Sequence, residues 1–172
     1  MRSLSEDLAE DERTLALVEG LLGEERIGYI CTGDRNNVPH ITPVFFAYIP
    51  HLHEILFVTD RTSKKIRNII DNPHVSFTVD IRHLEDPFKN EGVMINGTAM
   101  ISDVITDVDD LPGTLRGPYR TYIERFDRIV KRGKRMDRSI LVRIIMAKAA
   151  YWMGTDFHPI TFEHSLYYGD FA

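Results

Sequence analysis

ILFVTDRTSKKIRNIIDNPHVSFTVDI, residues 55–81, is the stretch around which the chain is organised. ILFVT is a short run of apolar and β-branched residues and reads as a buried strand. After Thr62, the side chains of Ile66, Ile69 and Ile70 recur at helical spacing. Asn72-Pro73 stops that helix, because Pro73 has no N–H to donate and pushes Asn72 out of helical geometry. The next run, residues 74–81, reads as a strand. At the strand-to-helix junction sit the hydroxyls of Thr59, Thr62 and Ser63 and the cations of Arg61, Lys64, Lys65 and Arg67. A first helical turn exposes unpaired N–H groups and the positive end of the helix dipole, which suits a phosphate. Lysines are disfavoured there unless something negative binds them. The plainer alternative is Thr62 as an ordinary N-cap, with the lysines solvated.

Working outward, residues 4–22 form an amphipathic helix with Leu4, Leu8, Leu15, Val18 and Leu22 on one face. Strands follow at residues 27–32 and 40–49, joined by a turn in GDRNN. Pro43 interrupts the second, which is therefore expected to be irregular or at an edge there, leaving backbone groups to face a ligand. After residues 55–59 come strands at 74–81 and 93–102, a loop at 107–113, and a helix at 118–134 opened by Pro118. That helix carries Tyr122, Phe126, Ile129 and Val130 as its apolar stripe, with arginines and lysines on the outside. A long strand at 140–152 has a bulge near Ala147. Strands without βαβ regularity, interrupted by few helices, indicate a mainly β, mostly antiparallel, Greek-key-like barrel with peripheral α-helices. Residues 1–172 are expected to form one domain, with residues 1–24 as an N-terminal helix and 155–172 as an aromatic tail without periodicity.

The single cysteine, Cys31, excludes an internal disulfide framework and favours a cytoplasmic location. No run approaches the ~18 apolar residues of a membrane span. A net charge of −5 argues against a general nucleic-acid binder, even though residues 116–143 are basic. Seven histidines include His51 and His53, but these fall in a turn with no further ligand at a regular interval, so no metal is assigned. The acidic residues 103–110 lack the glycine and glutamate of a calcium loop and read as solvated. No catalytic triad, paired carboxylate or Gly-x-Gly-x-x-Gly is present, and no catalytic residue is assigned. His40 is the least poor acid–base candidate, because imidazole as a side-chain type ionises near neutrality, against a plainer role as a hydrogen-bonded strand residue. Chemistry carried by a bound cofactor accounts for this silence.

The pieces IGYICTGDRNNVPHITPVFF, ILFVTDRTSKKIRNIIDNPHVSFTVD, GVMINGTAMI and ILVRIIMAKAAYW, in that order, resemble the pyridoxamine 5'-phosphate oxidase-like, FMN-binding split-barrel superfamily over residues 27–152. The resemblance implies a split β-barrel, a homodimer and FMN in grooves between the subunits, with a small-molecule substrate. It places Ser63, Lys64 and Lys65 on the phosphate clamp. Thr59, with Val58 beside it, falls on a contact to the cofactor tail. His40, Thr42, Pro43, Val44 and Phe45 lie along the ring, and Trp152 falls on a late tryptophan near it. Lys64 replaces an arginine, keeping the charge while losing the bidentate fork. No arginine follows Arg143, so oxidation of pyridoxamine phosphate itself is not expected. The same superfamily also includes binders of the deazaflavin F420, heme binders and flavin reductases. A flavin-dependent oxidoreductase therefore stands beside an F420-dependent reductase and a non-enzymatic flavin or heme binder.

Overall fold

The computed structural model describes residues 4–103, 113–126 and 138–162. Helix α1 (Leu4–Glu24) precedes strands β1 (Ile27–Gly33), β2 (Pro39–Phe45), β3 (Ala47–Ile49) and β4 (Glu54–Asp60). Helix α2 (Lys64–Asp71), strands β5 (His74–Ile81) and β6 (Glu91–Asp103), helix α3 (Gly113–Arg125), and strands β7 (Ser139–Met153) and β8 (Asp156–Thr161) complete the described chain. The eight strands form one antiparallel sheet in the order β2-β1-β5-β6-β7-β4-β3, with β8 also on β7.

Strands β2 and β3 end opposite sides of that order, yet only Phe46 separates them in sequence. The sheet must therefore roll up until its ends meet, which makes it a barrel. Phe46, fully buried, packs edge-on against Phe77 at 5.1 Å and anchors the crossing. Closure is incomplete. β3 pairs with β4 only over Ala47–Ile49, reaching no further than Leu56, and the remainder of β4 faces the free edge of β2 without a ladder. This is the split of a split β-barrel.

The core is lined by alternate residues of the strands, among them Ile30, Phe57, Phe77, Ile95 and Val142, all at or near zero exposure. Helix α1 seats Val18, Leu21 and Leu22 against the sheet, and the Tyr48 hydroxyl donates to Glu19 at 3.2 Å to tie it down. A buried Glu54 accepts two bonds from Arg143, at 2.8 and 2.9 Å, across the β4–β7 pair. The register slips between Asn96 and Gly97 so that Ala147 is left over, which is the bulge expected there. A Cβ on Gly97 would lie 2.2 Å from the Ile145 carbonyl oxygen, so only glycine permits this approach.

Several boundaries differ from the sequence reading. The single strand 40–49 is two strands, divided at Phe46 and not at Pro43, which stays in register opposite Tyr29 on the edge strand. Helix α3 opens at Gly113, before Pro118, and its weak formers Gly113 and Gly117 gave no start signal. The tail begins with β8, because β7 runs past the barrel and presents a free edge there. Phe162 follows it, with its ring 4.8 Å from that of His53. The acidic stretch beyond Asp103, the apolar positions Ile129 and Val130, and the aromatics Tyr167, Tyr168 and Phe171 lie outside the described residues.

Candidate functional site

The C-terminal end of β4, paired with β7, runs into the N-terminus of α2. Asp60 organises the connection: its carboxylate accepts from the Thr62 N–H at 2.7 Å and the Thr62 hydroxyl at 2.6 Å, while its carbonyl accepts from the Ser63 N–H at 3.0 Å. Arg138, at the entrance to β7, donates to the Thr62 hydroxyl at 3.2 Å and lies 3.7 Å from Asp60. Thr62 is thus held inside the turn, and Ser63 is the N-cap.

Ser63 does not behave as a cap. Its side chain makes no capping bond, and its Oγ is buried with no hydrogen-bond partner. An N-cap serine ordinarily satisfies one of the orphan N–H groups, and buried hydroxyls are nearly always paired. The hydroxyl sits at a first helical turn, whose N–H groups have no intrahelical acceptor, and together these groups have the chemistry to bond an anion from outside the chain. Lys65 closes the same corner. It is only 9 % exposed and donates from Nζ to the Thr59 hydroxyl at 3.0 Å. Burial lowers its pKa from 10.5, and the nearby Asp60 works the other way. A buried ammonium whose hydration has been stripped gains most from an added anion. Lys64 and Arg67 stay exposed at the rim.

The helical face differs from the one expected: Ile70 is 70 % exposed, and Lys65, Ile66, Asn68 and Ile69 point inward. Asn68 donates to the Thr32 hydroxyl at 3.0 Å, and Thr32 in turn donates to the His40 carbonyl at 3.4 Å. This relay links the helix carrying Ser63 and Lys65 to β2. Along β2 the side chains of His40, Thr42 and Val44 alternate inward, and Pro43 and Phe45 outward. His40 Nε2 meets the Thr42 hydroxyl at 3.0 Å, so His40 is a hydrogen-bonded strand residue.

At the apex of the split, where β2 and β4 converge on Phe46, the Tyr122 hydroxyl from α3 accepts from the Val58 N–H at 3.0 Å and donates to the Phe45 carbonyl at 3.3 Å. Burial pushes this phenol up to about 12, so it keeps its proton at ordinary pH. Phe126 packs on Tyr122 and on Phe45, with ring centroids 4.8 and 5.4 Å apart.

Hydrogen bonds tie Thr59 of β4, next to Val58, to Lys65 of α2, two residues after Ser63 and one after Lys64, and link the same helix through Asn68 and Thr32 to His40 and Thr42 of β2, while Val44 is committed to the core. The structure does not bring Trp152 there. Trp152 sits on the far half of β7 against Gly92, where a Cβ would lie 2.7 Å from its Nε1. Asp60 pairs with Ser139 at the other end of that strand, so Trp152 lies roughly 43 Å along the strand path at about 3.3 Å per residue. Asn68, Thr32, Asp60, Arg138 and the Tyr122 hydroxyl were missed from sequence. Only the helical spacing of Asn68 from Lys65 pointed to any of them.

The sequence profile described as pyridoxamine 5'-phosphate oxidase matches residues 15–152. The chain belongs to this family. No curated protein matches it. Among solved structures, a heme binding protein from Mycobacterium smegmatis superposes with a TM-score of 0.65 at 14 % identity, over 94 % of this chain and 59 % of that one. A FAD-binding protein from Mesorhizobium loti gives 0.59 at 15 % identity, over 78 % and 90 % of the two chains. An F420 reductase gives 0.54 at 18 %, over 76 % and 94 %. At these identities the likeness is one of fold. The three are described as a heme binding protein, a FAD-binding protein and an F420 reductase, so proteins with this barrel serve different cofactors. The orphaned Ser63 hydroxyl, the buried Lys65 and the first-turn N–H groups fit a phosphate-bearing cofactor.

Proposed function

We propose that this family member is a homodimeric, FMN-binding oxidoreductase acting on a small molecule other than pyridoxamine phosphate. The observation that carries the reading is Ser63 Oγ, buried and unpartnered at a helix N-terminus beside the buried Lys65 ammonium. Ser63, Lys65 and the first-turn N–H groups hold the phosphate, with Lys64 supplying long-range charge. The free edge of β2 at His40, Thr42 and Pro43 offers backbone groups to the flat ring. Thr59, already bonded to Lys65, orients that ammonium towards the tail. A bound flavin supplies hydride or electron exchange; the chain binds it, orients it and excludes water.

The resemblance puts a late tryptophan near the ring, and Trp152 lies at the far end of β7 from the Asp60–Ser139 pair beside Ser63, which supports a site to which a second copy contributes this tryptophan. The outer face of the sheet suits that role. Tyr29 pairs with Thr78 and Thr78 with Met94, and Ile41 lies beside Cys31, giving a continuous face on which Ile41, Met94 and Tyr29 are 62, 44 and 37 % exposed. A self-complementary interface over such a face buries well over about 1,000 Å². Two clefts of about 610 and 470 Å³ on this face, both lined by Ser76, Asn96 and Lys148, would then lie at the subunit boundary.

Purification from a flavin-replete host, followed by absorption spectroscopy and mass identification of the extracted chromophore, tests the reading. FMN in near-equal amount to protein is the expected result; heme or F420 in its place overturns it.

A further inference from the structure

We infer that Tyr122 is the positioning residue that holds the barrel split open to the width of a flat ring, a specificity role that rests on the cofactor reading above. Were β2 and β4 to zip together beyond Phe46, the Val58 N–H would meet a β2 carbonyl directly, at the ordinary ladder distance of about 2.9 Å. Instead a phenol oxygen stands between Val58 N–H and Phe45 C=O, at 3.0 and 3.3 Å. It satisfies both backbone groups while keeping the two strand edges one atom further apart. Beyond that point no ladder joins β2, which carries His40 and Thr42, to β4, which carries Thr59, so the spacer stands where such a ladder would have to start.

The phenol has little freedom to move. Tyr122 is 1 % exposed and Tyr119, one turn earlier, 2 %, and Phe126 covers the ring from the following turn. Phe126 also rests on Phe45, the last residue of β2, so α3 grips the same strand end twice, once through a hydroxyl and once through a ring. The two grips are chemically separable. The Phe126 contact contributes packing, which any well-packed helix provides. The Tyr122 hydroxyl occupies the backbone groups through which the two strand edges would satisfy each other.

The experiment compares the wild-type protein with Tyr122→Phe and, as a packing control, Phe126→Leu. FMN and riboflavin affinities are measured by titration, and ¹⁵N NMR reads both inorganic-phosphate binding at α2 and exchange of the Val58 amide. In Tyr122→Phe the affinity for FMN and riboflavin should fall about tenfold or more. Inorganic phosphate should bind as in wild type, and the Val58 amide of the apoprotein should change its exchange rate beyond any change in global stability. Phe126→Leu should melt earlier but keep the wild-type ratio of FMN to phosphate affinity. Equal losses of phosphate and flavin in Tyr122→Phe, or wild-type flavin affinity and absorption spectrum, overturn the role. An unchanged Val58 amide overturns the spacer itself. A wild-type protein that binds neither FMN nor riboflavin overturns the cofactor reading, while the Val58 exchange still decides the spacer.

Discussion

Replacing Ser63 by alanine should move stability and cofactor binding in opposite directions. At an ordinary N-cap, Ser→Ala removes a hydrogen bond to the helix and costs about 1 kcal/mol. Ser63 makes no such bond, and its Oγ is buried without a partner, a condition that costs about 1–3 kcal/mol. Alanine removes that burden. The apoprotein should gain roughly 1 kcal/mol, which for a domain of this size raises Tm by about 2–4 °C. In the FMN complex the same hydroxyl donates to a phosphate oxygen, and a hydrogen bond to a charged acceptor is worth about 1.5–3 kcal/mol. FMN affinity should therefore fall by about 10- to 150-fold. Differential scanning calorimetry of the apoprotein and fluorescence titration with FMN measure the two halves. A lowered apo Tm would show that Ser63 caps α2 after all. A raised Tm with unchanged FMN affinity would show that the orphaned hydroxyl serves something other than the cofactor.

Lys65→Met removes a buried ammonium whose pKa lies below 10.5, so in wild type the unfolded chain binds that proton more tightly than the folded one. The Lys65 contribution is then present above 10.5 and lost as pH falls through the folded-state pKa. Urea unfolding across the alkaline range should show wild type gaining stability relative to Lys65→Met as pH rises, and FMN should flatten that difference. Taking the difference cancels Tyr122, whose rise from 10.0 to about 12 makes its own contribution fully present below 10.0 and lost as pH rises through about 12. Arg143→Leu strips the bidentate clamp from the buried Glu54 carboxylate and should cost about 3–5 kcal/mol in the same assay. A loss below about 1 kcal/mol would show that the pair is not a fixed part of the barrel wall.

The stretch from Ile55 to Ile81 disclosed its strand, helix and strand because each boundary has a chemical mark: an apolar run, a hydroxyl cluster, an Asn-Pro stop. The bulge near Ala147 was legible from the length of the strand. The transfer of the chain at Phe46 from one end of the sheet to the other was not, since nothing in PVFFAY distinguishes Phe46 from its neighbours until the sheet closes. Burial of Lys65 and exposure of Ile70 invert the local hydrophobic pattern of α2, and only the tertiary position of Thr59 explains the exchange. β8 contains Pro159, which speaks against a strand except at an edge, and an edge is where it lies. Tyr122 was visible as an apolar stripe residue, yet its role lies in one oxygen atom at its tip. Spacing assigns side chains to faces; which polar atoms meet across them depends on partners far apart in sequence, 64 residues apart for Tyr122 and Val58.

In the proposed assembly a phosphorylated flavin is held at Ser63–Lys65 of one chain and closed over by a second copy. Analytical ultracentrifugation of the apoprotein, with and without added FMN and read at the flavin absorption band, tests it most directly. The flavin should sediment with a dimer at one FMN per chain, and FMN should shift the monomer–dimer equilibrium towards the dimer. Stoichiometric FMN travelling with a monomer at high dilution would rule out a site shared between two chains.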